Sequence, residues 1–211
     1  VQPDRIKEAC GRLAELQYRR KFHIQTINRN KLAAMALIRR AAGFDPAAEE
    51  KDREKVAARA MRIFAKAHAG KDQDDADLAI FVALEADLMS FNQSLVPLEL
   101  ARATVEKEMV KIAKTLPVYG WAKEVKGFGD LALAAVLGET GDLADYDNPS
   151  KVWKRLGLAP YAGKVGSTWK LVGGLGADEW TDFGYSPKRR AVVFADVQTP
   201  LIKHQWRSEK E

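Results

Sequence analysis

The sequence predicts a mainly α protein in two parts: a long-helix bundle or coiled-coil arm over residues 1–115, and a small domain centred on a helical hairpin over residues 116–211. Three observations predict this. Apolar residues recur at spacings of three and four through the first part. Pro117 closes that part, and beyond it glycine and tryptophan become frequent and the helices shorten. Finally, the stretch EVKGFGDLALAAVLGETGDL from Glu124 sets two glycines, one residue apart, directly before an apolar run.

The first helix runs from Asp4, a good N-cap, to Ile27, with Ile6, Cys10, Leu13, Leu16, Ile24 and Ile27 on one stripe. Gln17 and Arg20 interrupt that seam. Leu32 to Ala42 continues or restarts the helix and ends at Gly43 and Pro46. Glu49 to Ala69 forms the next, with Val56, Ala60, Ile63, Phe64 and Ala67 inward and Gly70 as its stop. Asp74, Asp75 and Asp77 open a fourth, carrying Leu78, Phe81, Val82, Leu84 and Leu88; acids there complement the helix dipole. Ser94 followed by Pro97 reads as a fresh start, making Leu98 to Leu116 a fifth helix.

Composition bounds the function classes. A chain of 211 residues, 46% hydrophobic and 30% charged, can bury a sizeable core and is not of the disordered class. Its apolar runs fall far short of the roughly 20 residues that span a bilayer. No leader pattern opens the chain, and the one cysteine, Cys10, suits a reducing compartment, so a cytoplasmic location and no membrane partner are expected. The three histidines lack zinc-ligand spacing, and the Asp72–Asp77 cluster lacks a calcium-loop pattern, so no metal site is predicted.

Charge is unevenly spread. Residues 1–71 carry 17 basic and 8 acidic side chains, and residues 72–109 carry 2 and 9. A basic front fits a polyanion partner, although solvated helix faces give the same signal.

Gly127-Phe128-Gly129-Asp130-Leu131-Ala132 matches the GxGxxG/A dinucleotide fingerprint, but no strand precedes it and no βαβ unit surrounds it. Helix, glycine turn, helix fits better. Trp121 and Val125 give the first helix its apolar face, and Asp130 caps the second, whose core face is Leu131, Ala134, Ala135 and Leu137. A second turn is expected at Gly138-Glu139-Thr140-Gly141. The hairpin resembles the helix-hairpin-helix DNA-binding motif, in which bare backbone N–H groups hold a phosphate; Lys126, Gly127 and Gly129 would do so here. The same glycines would serve a plain αα corner, and on the residues alone both readings stay open.

Farther on, Ser186 and Pro187 are a good N-cap and first helical residue, yet Lys188, Arg189 and Arg190 then oppose the dipole unless an anion is present. That is a second pointer to a polyanion. Trp153, Trp169, Trp180 and Trp206 either stack on unpaired bases or, as is commoner, pack inside.

The ordered series Val125-Lys126-Gly127-Phe128-Gly129, Leu137-Gly138-Glu139-Thr140-Gly141-Asp142-Leu143, Lys154-Arg155-Leu156-Gly157-Leu158-Ala159-Pro160 and Gly184-Tyr185-Ser186-Pro187-Lys188-Arg189-Arg190 carries a more specific resemblance. It is similar to the C-terminal domain of insertion-sequence transposases of the IS-one-ten/IS-one-sixteen class, over roughly Leu116 to Arg207. The resemblance implies DNA as partner and a structured RNA as a second one, with the preceding helices as a coiled-coil segment through which the chain self-associates as a homo-oligomer. It also implies a nucleophilic serine, best matched by Ser167 with Ser186 as the fallback, and adds Lys164 and Lys170 to the DNA contacts. Ser167 follows its glycine, whereas the family's serine precedes it; a turn residue is the alternative reading.

No RuvC-like acidic domain is recognisable, so no cofactor is expected in this chain; Mg2+ would enter only with a carboxylate domain supplied elsewhere. With Val1 at its start, the chain reads as a fragment, a processed chain or a short relative. The expected function is that of a transposase- or recombinase-related DNA-binding protein. The alternatives are a non-catalytic helical scaffold or dimerisation protein, and a metal-dependent nuclease using Glu139, Asp142, Asp145 and Asp147.

Overall fold

Helix lengths follow from what interrupts each apolar stripe. The computed structural model describes residues 3–158 and 186–205, and among these the ordered structure is helical, with no strand. Helix α1 (Pro3–Ala41) is one helix of 39 residues. No proline interrupts its interior, so Leu32 to Ala41 continues it. Asp4 lies in its first turn rather than at an N-cap. Gly43, at φ +80°, and Pro46 end it as predicted.

Helix α2 (Glu50–His68) buries Ala60, Ile63 and Phe64, as its spacing predicts, and Gly70 at φ +63° follows its end. Helix α3 (Asp75–Ala83) meets α4 (Glu85–Ala113) at a bend of 79°. Pro97 lies inside α4, so the fresh start expected there is overturned. A proline removes only one N–H, and the neighbouring turns are held: Leu95 is fully buried, Leu98 packs on the core, and Ser94 Oγ donates to the Phe91 carbonyl at 2.8 Å.

Packing divides the chain into two units, a terminal unit (Val1–Arg20 with Thr104–Glu211) and a middle unit (Lys21–Ala103). The division thus falls within α1 and α4 rather than near residue 115. The terminal unit is built on Leu13, Leu16, Met109, Leu133 and Leu137. The middle unit is built on Ile27, Ile38, Ile63 and Leu95.

Asp77 is completely buried in the middle unit, where it does more than complement a dipole. Arg59 Nε donates to its Oδ1 at 2.7 Å and Arg62 Nη2 to its Oδ2 at 2.7 Å. Burial works against the Asp77 charge, but these bonds outweigh it and hold the carboxyl below its ordinary range. His68 is a packing residue, stacked on Phe64 with ring centroids 5.8 Å apart.

The rest of the terminal unit is a series of short helices: α5 (Tyr119–Glu124), α6 (Asp130–Thr140), α7 (Pro149–Arg155), α8 (Pro187–Val193) and α9 (Thr199–Gln205), the last two joined by a π-helical turn over Phe194–Gln198. The second turn predicted at Gly138 is overturned: Gly138, Glu139 and Thr140 are the last turn of α6, and Gly141, at φ +80°, is its C-cap. Gly138 is glycine because of packing. A Cβ there would lie 2.7 Å from Gln17 Cβ and 2.9 Å from the Leu13 carbonyl oxygen of α1. Among the described residues no single helix is long and apolar enough to cross a membrane.

Candidate nucleic-acid interface

Between α5 and α6 the backbone reverses in one tight turn. The Phe128 N–H donates to the Val125 carbonyl at 2.9 Å, and Gly127, third in that turn, sits at φ +89°, where a side chain is strained. Gly129 is the N-cap of α6, at φ −74° and ψ 161°, and no side chain caps that end. Asp130, expected as the cap, is the first residue inside the helix, and its Oδ2 is 2.9 Å from Lys114 Nζ.

The turn opens onto a pocket of about 490 Å³. Lys123, Lys126, Gly127, Gly129, Leu131 and Ala132 line it together with Ala195, Asp196 and Pro200. Leu131 was expected in the core, but it lines this pocket half-buried while Leu133 fills the core. A Cβ placed on Gly129 would meet nothing of the chain within 4 Å.

Asp196 would repel an anion in this pocket if its charge were uncompensated. Arg20 compensates it, with Nη1 2.8 Å from Oδ2 and Nη2 3.2 Å from Oδ1, while Arg20 Nε donates to Glu106 Oε1 at 2.8 Å. Burial works against the Arg20 charge, but the bonds to Asp196 and Glu106 outweigh it and hold the guanidinium above its ordinary value. Lys123 and Lys126 remain exposed.

Trp121 is 63% exposed rather than inward, its ring tilted against Phe128 with centroids 6.3 Å apart. Ala122 is the buried residue of α5. The uncapped start of α6, the two exposed lysines and the open ring of Trp121 belong to one short helix–turn–helix stretch, a set that can hold a phosphodiester and stack a base.

The other predicted basic cluster lies elsewhere on α6. Ser186 caps α8 as expected, its Oγ accepting from the Arg189 N–H at 3.3 Å. Helix α8 packs along α6, and Arg189, half-buried, places Nε 3.5 Å from Glu139 Oε2. Burial and then the nearby charge of Arg155 pull the Arg189 guanidinium below its ordinary value, with Glu139 opposing. The anion that the first turn of α8 calls for is therefore supplied in part by the chain itself. Lys188 is exposed and Arg190 half-buried.

Glu139 is buried. Its Oε1 accepts from Gln17 Nε2 at 3.0 Å, and its carbonyl accepts from Arg155 Nε at 3.3 Å. From Leu131 to Glu139 is eight helical residues, so the glycine turn and the Arg189 cluster stand about 12 Å apart along α6. One phosphate cannot touch both.

The structure thus brings Lys126, Gly127 and Gly129 together and sets Lys188, Arg189 and Arg190 at the opposite end of the same helix. Ser167, Lys164 and Lys170, with Trp169, Trp180 and Trp206, lie outside the described residues. Trp153 is 53% exposed. The four carboxylates of the nuclease reading do not converge: Glu139 is enclosed, Asp142 accepts from the Ala144 N–H at 3.0 Å, and Asp147 pairs with Lys151. Among the described residues no three His, Cys, Asp or Glu side chains come together to hold a metal ion.

Sequence reasoning missed the parts played by Arg20, Gln17 and Trp121. The signal for the first two was present: a cation and an amide inside an apolar seam need buried partners. No protein-family model matches the chain, and neither a curated protein nor a solved structure matches it.

Proposed function

We propose that this chain is a transposase- or recombinase-related DNA-binding protein that holds the phosphate backbone at its glycine turn, in the cytoplasm, with a structured RNA as a second ligand. The observation that carries this reading is the outer face of Gly129: uncapped, without a side chain, and with nothing of the chain within reach of a Cβ. Glycine is not needed there for packing, and its φ of −74° suits any residue. A ligand that approaches the backbone explains it.

In this reading the N–H groups at the start of α6 donate to phosphate oxygens, Lys123 and Lys126 add charge, and Trp121 stacks on a splayed base. Contacts of this kind position without reading sequence. Lys188, the exposed cation of α8, takes a different phosphate. Strand exchange through Ser167 would require a metal-binding carboxylate domain from outside the described residues.

The test is fluorescence anisotropy with duplex, branched and single-stranded DNA and a structured RNA, each at several salt concentrations. Gly129→Ala should melt like the parent chain yet bind every ligand more weakly, and Lys123→Ala should lower the salt slope by about 1. If Gly129→Ala binds as tightly as the parent, or the parent binds nothing at low salt, the glycine turn is a packing corner and the proposal fails.

A further inference from the structure

The pocket beside the glycine turn holds an acid that a phosphate site does not need. Asp196 is the one acid among the described residues that line it. Lys123 and Lys126 are its cations, and most of the remaining lining is apolar, with Val125, Phe128, Leu131 and Pro200 the largest side chains. A phosphodiester uses the lysines and the bare start of α6, and gains nothing from a carboxylate. Nor does the fold gain much, because a buried ion pair such as Arg20–Asp196 is a weak source of stability. The volume of about 490 Å³ also lies in the range that encloses a small organic ligand, well beyond the needs of a phosphate.

An irregular backbone brings Asp196 there. It lies in the π-helical turn Phe194–Gln198 between α8 and α9. Pro200 has no N–H to offer the Asp196 carbonyl four residues before it, so the α-helical ladder is interrupted at this point. The Phe194 carbonyl instead accepts from Thr199 twice, from its N–H and from its Oγ1 at 2.9 Å. Single π turns of this kind occur frequently at functional sites.

Arg20 leaves this carboxylate room for a ligand. Its Nη1 and Nη2 take one acceptor site on each oxygen, of the roughly four that a carboxylate has. Because the guanidinium forks across both oxygens, what remains is one outer site on each. Such a site suits a single amino group rather than a second fork.

Resting on the phosphate reading of the glycine turn, we propose that this pocket takes an unpaired nucleobase bearing an amino group. The amino group donates to Asp196, the base lies against the apolar lining, and its phosphate stays at the turn. Adenine, cytosine and guanine carry such a group. Thymine and uracil do not, and their one ring N–H stands between two carbonyl oxygens that a carboxylate repels. The phosphate contacts are blind to sequence; Asp196 adds a coarse selection of bases to them.

Anisotropy of the full chain with three single strands tests this, at a pH above neutral: oligo-dC, oligo-dT, and a strand whose cytosines carry hydrogen in place of the amino group. Backbone charge and stacking on Trp121 are common to all three pyrimidine strands. The parent should bind oligo-dC about tenfold more tightly than either of the others, the value of one hydrogen bond to a charged group. In Asp196→Asn the amide oxygen serves Arg20 and the NH2 faces the ligand, so the preference should pass to oligo-dT, whose carbonyl oxygens accept. A residue with only a structural role would lower all three affinities alike. Far-UV circular dichroism checks that the variant folds; if it does not, the three affinities of the parent decide. Equal affinities for the three strands overturn the proposal, as does a folded Asp196→Asn chain that still prefers oligo-dC. If Gly129→Ala weakens those equal affinities, the phosphate reading stands without the base pocket. A parent that binds no strand overturns both.

Discussion

The two ends of α6 are both built on glycine, and they use it for opposite purposes. At the N-terminal end the chain leaves space: Gly127 takes a φ of +89° to make the turn, and Gly129 leaves the helix start bare against a pocket. At the C-terminal end the chain fills space: Gly138 admits the backbone and Gln17 of α1, and beside it Glu139 gathers Gln17, Arg155 and Arg189. A glycine-rich stretch is therefore not one signal. Which glycine serves a ligand and which serves a neighbouring helix depends on what stands opposite each Cα.

Substitutions along α6 should separate the ends, beginning with the filled one. Glu139→Ala leaves Gln17 Nε2 without its buried acceptor and Arg189 without its carboxylate. Loss of one member of a buried charge pair costs about 3 kcal/mol, read as a lowered midpoint in urea unfolding. Gly138→Ala comes next. The added methyl meets a backbone oxygen and the stem of Gln17, neither of which swings away freely, so about 2 kcal/mol is expected from overpacking. A Gly138→Ala chain as stable as the parent would break the comparison, because α1 and α6 would then not be in close contact there.

At the open end the effects shrink. Gly127→Ala forces a side chain into positive φ and should cost about 1 kcal/mol in the same titration. Gly129→Ala should change stability by about 0.5 kcal/mol or less: glycine is the better N-cap, but alanine reduces the freedom of the unfolded chain. Its melting curve should overlie that of the parent while its affinity for nucleic acid falls. A clear loss of stability would mean that Gly129 is a packing residue like Gly138, and the two ends would no longer differ.

Much of the helical framework was legible. In α2 the spacing of Ala60, Ile63 and Phe64 and the stop at Gly70 stand as read, because amphipathic periodicity and a positive-φ glycine are local properties. So is the Ser186-Pro187 start of α8. Other local signals gave way to packing. Pro97 punctuates the sequence yet lies inside α4, where buried Leu95 keeps the adjoining turn on the core. Trp121 looked like the apolar anchor of α5, but a six-residue helix has room to bury only Ala122 closely. Of the candidate site, the turn at Gly127 and Gly129 was legible. The separation of that turn from Arg189 was not, since it depends on how α8 lies along α6.

By itself the sequence determined the mainly α class and the local signals that start α8 and stop α1 and α2, because propensity, capping and periodicity act over a few residues. It also determined that residues 72–101 are acidic and residues 21–44 basic. Only the tertiary structure decided that Arg20 is a buried link to Glu106 and Asp196, that Glu139 belongs to Gln17 and Arg189 rather than to a metal-ligand set, and which glycines face the chain and which face outward. A buried charge is stable only with partners in place, and Gly138 is required because α1 stands in the way of a Cβ; in both cases the partner is distant in sequence and fixed by packing alone.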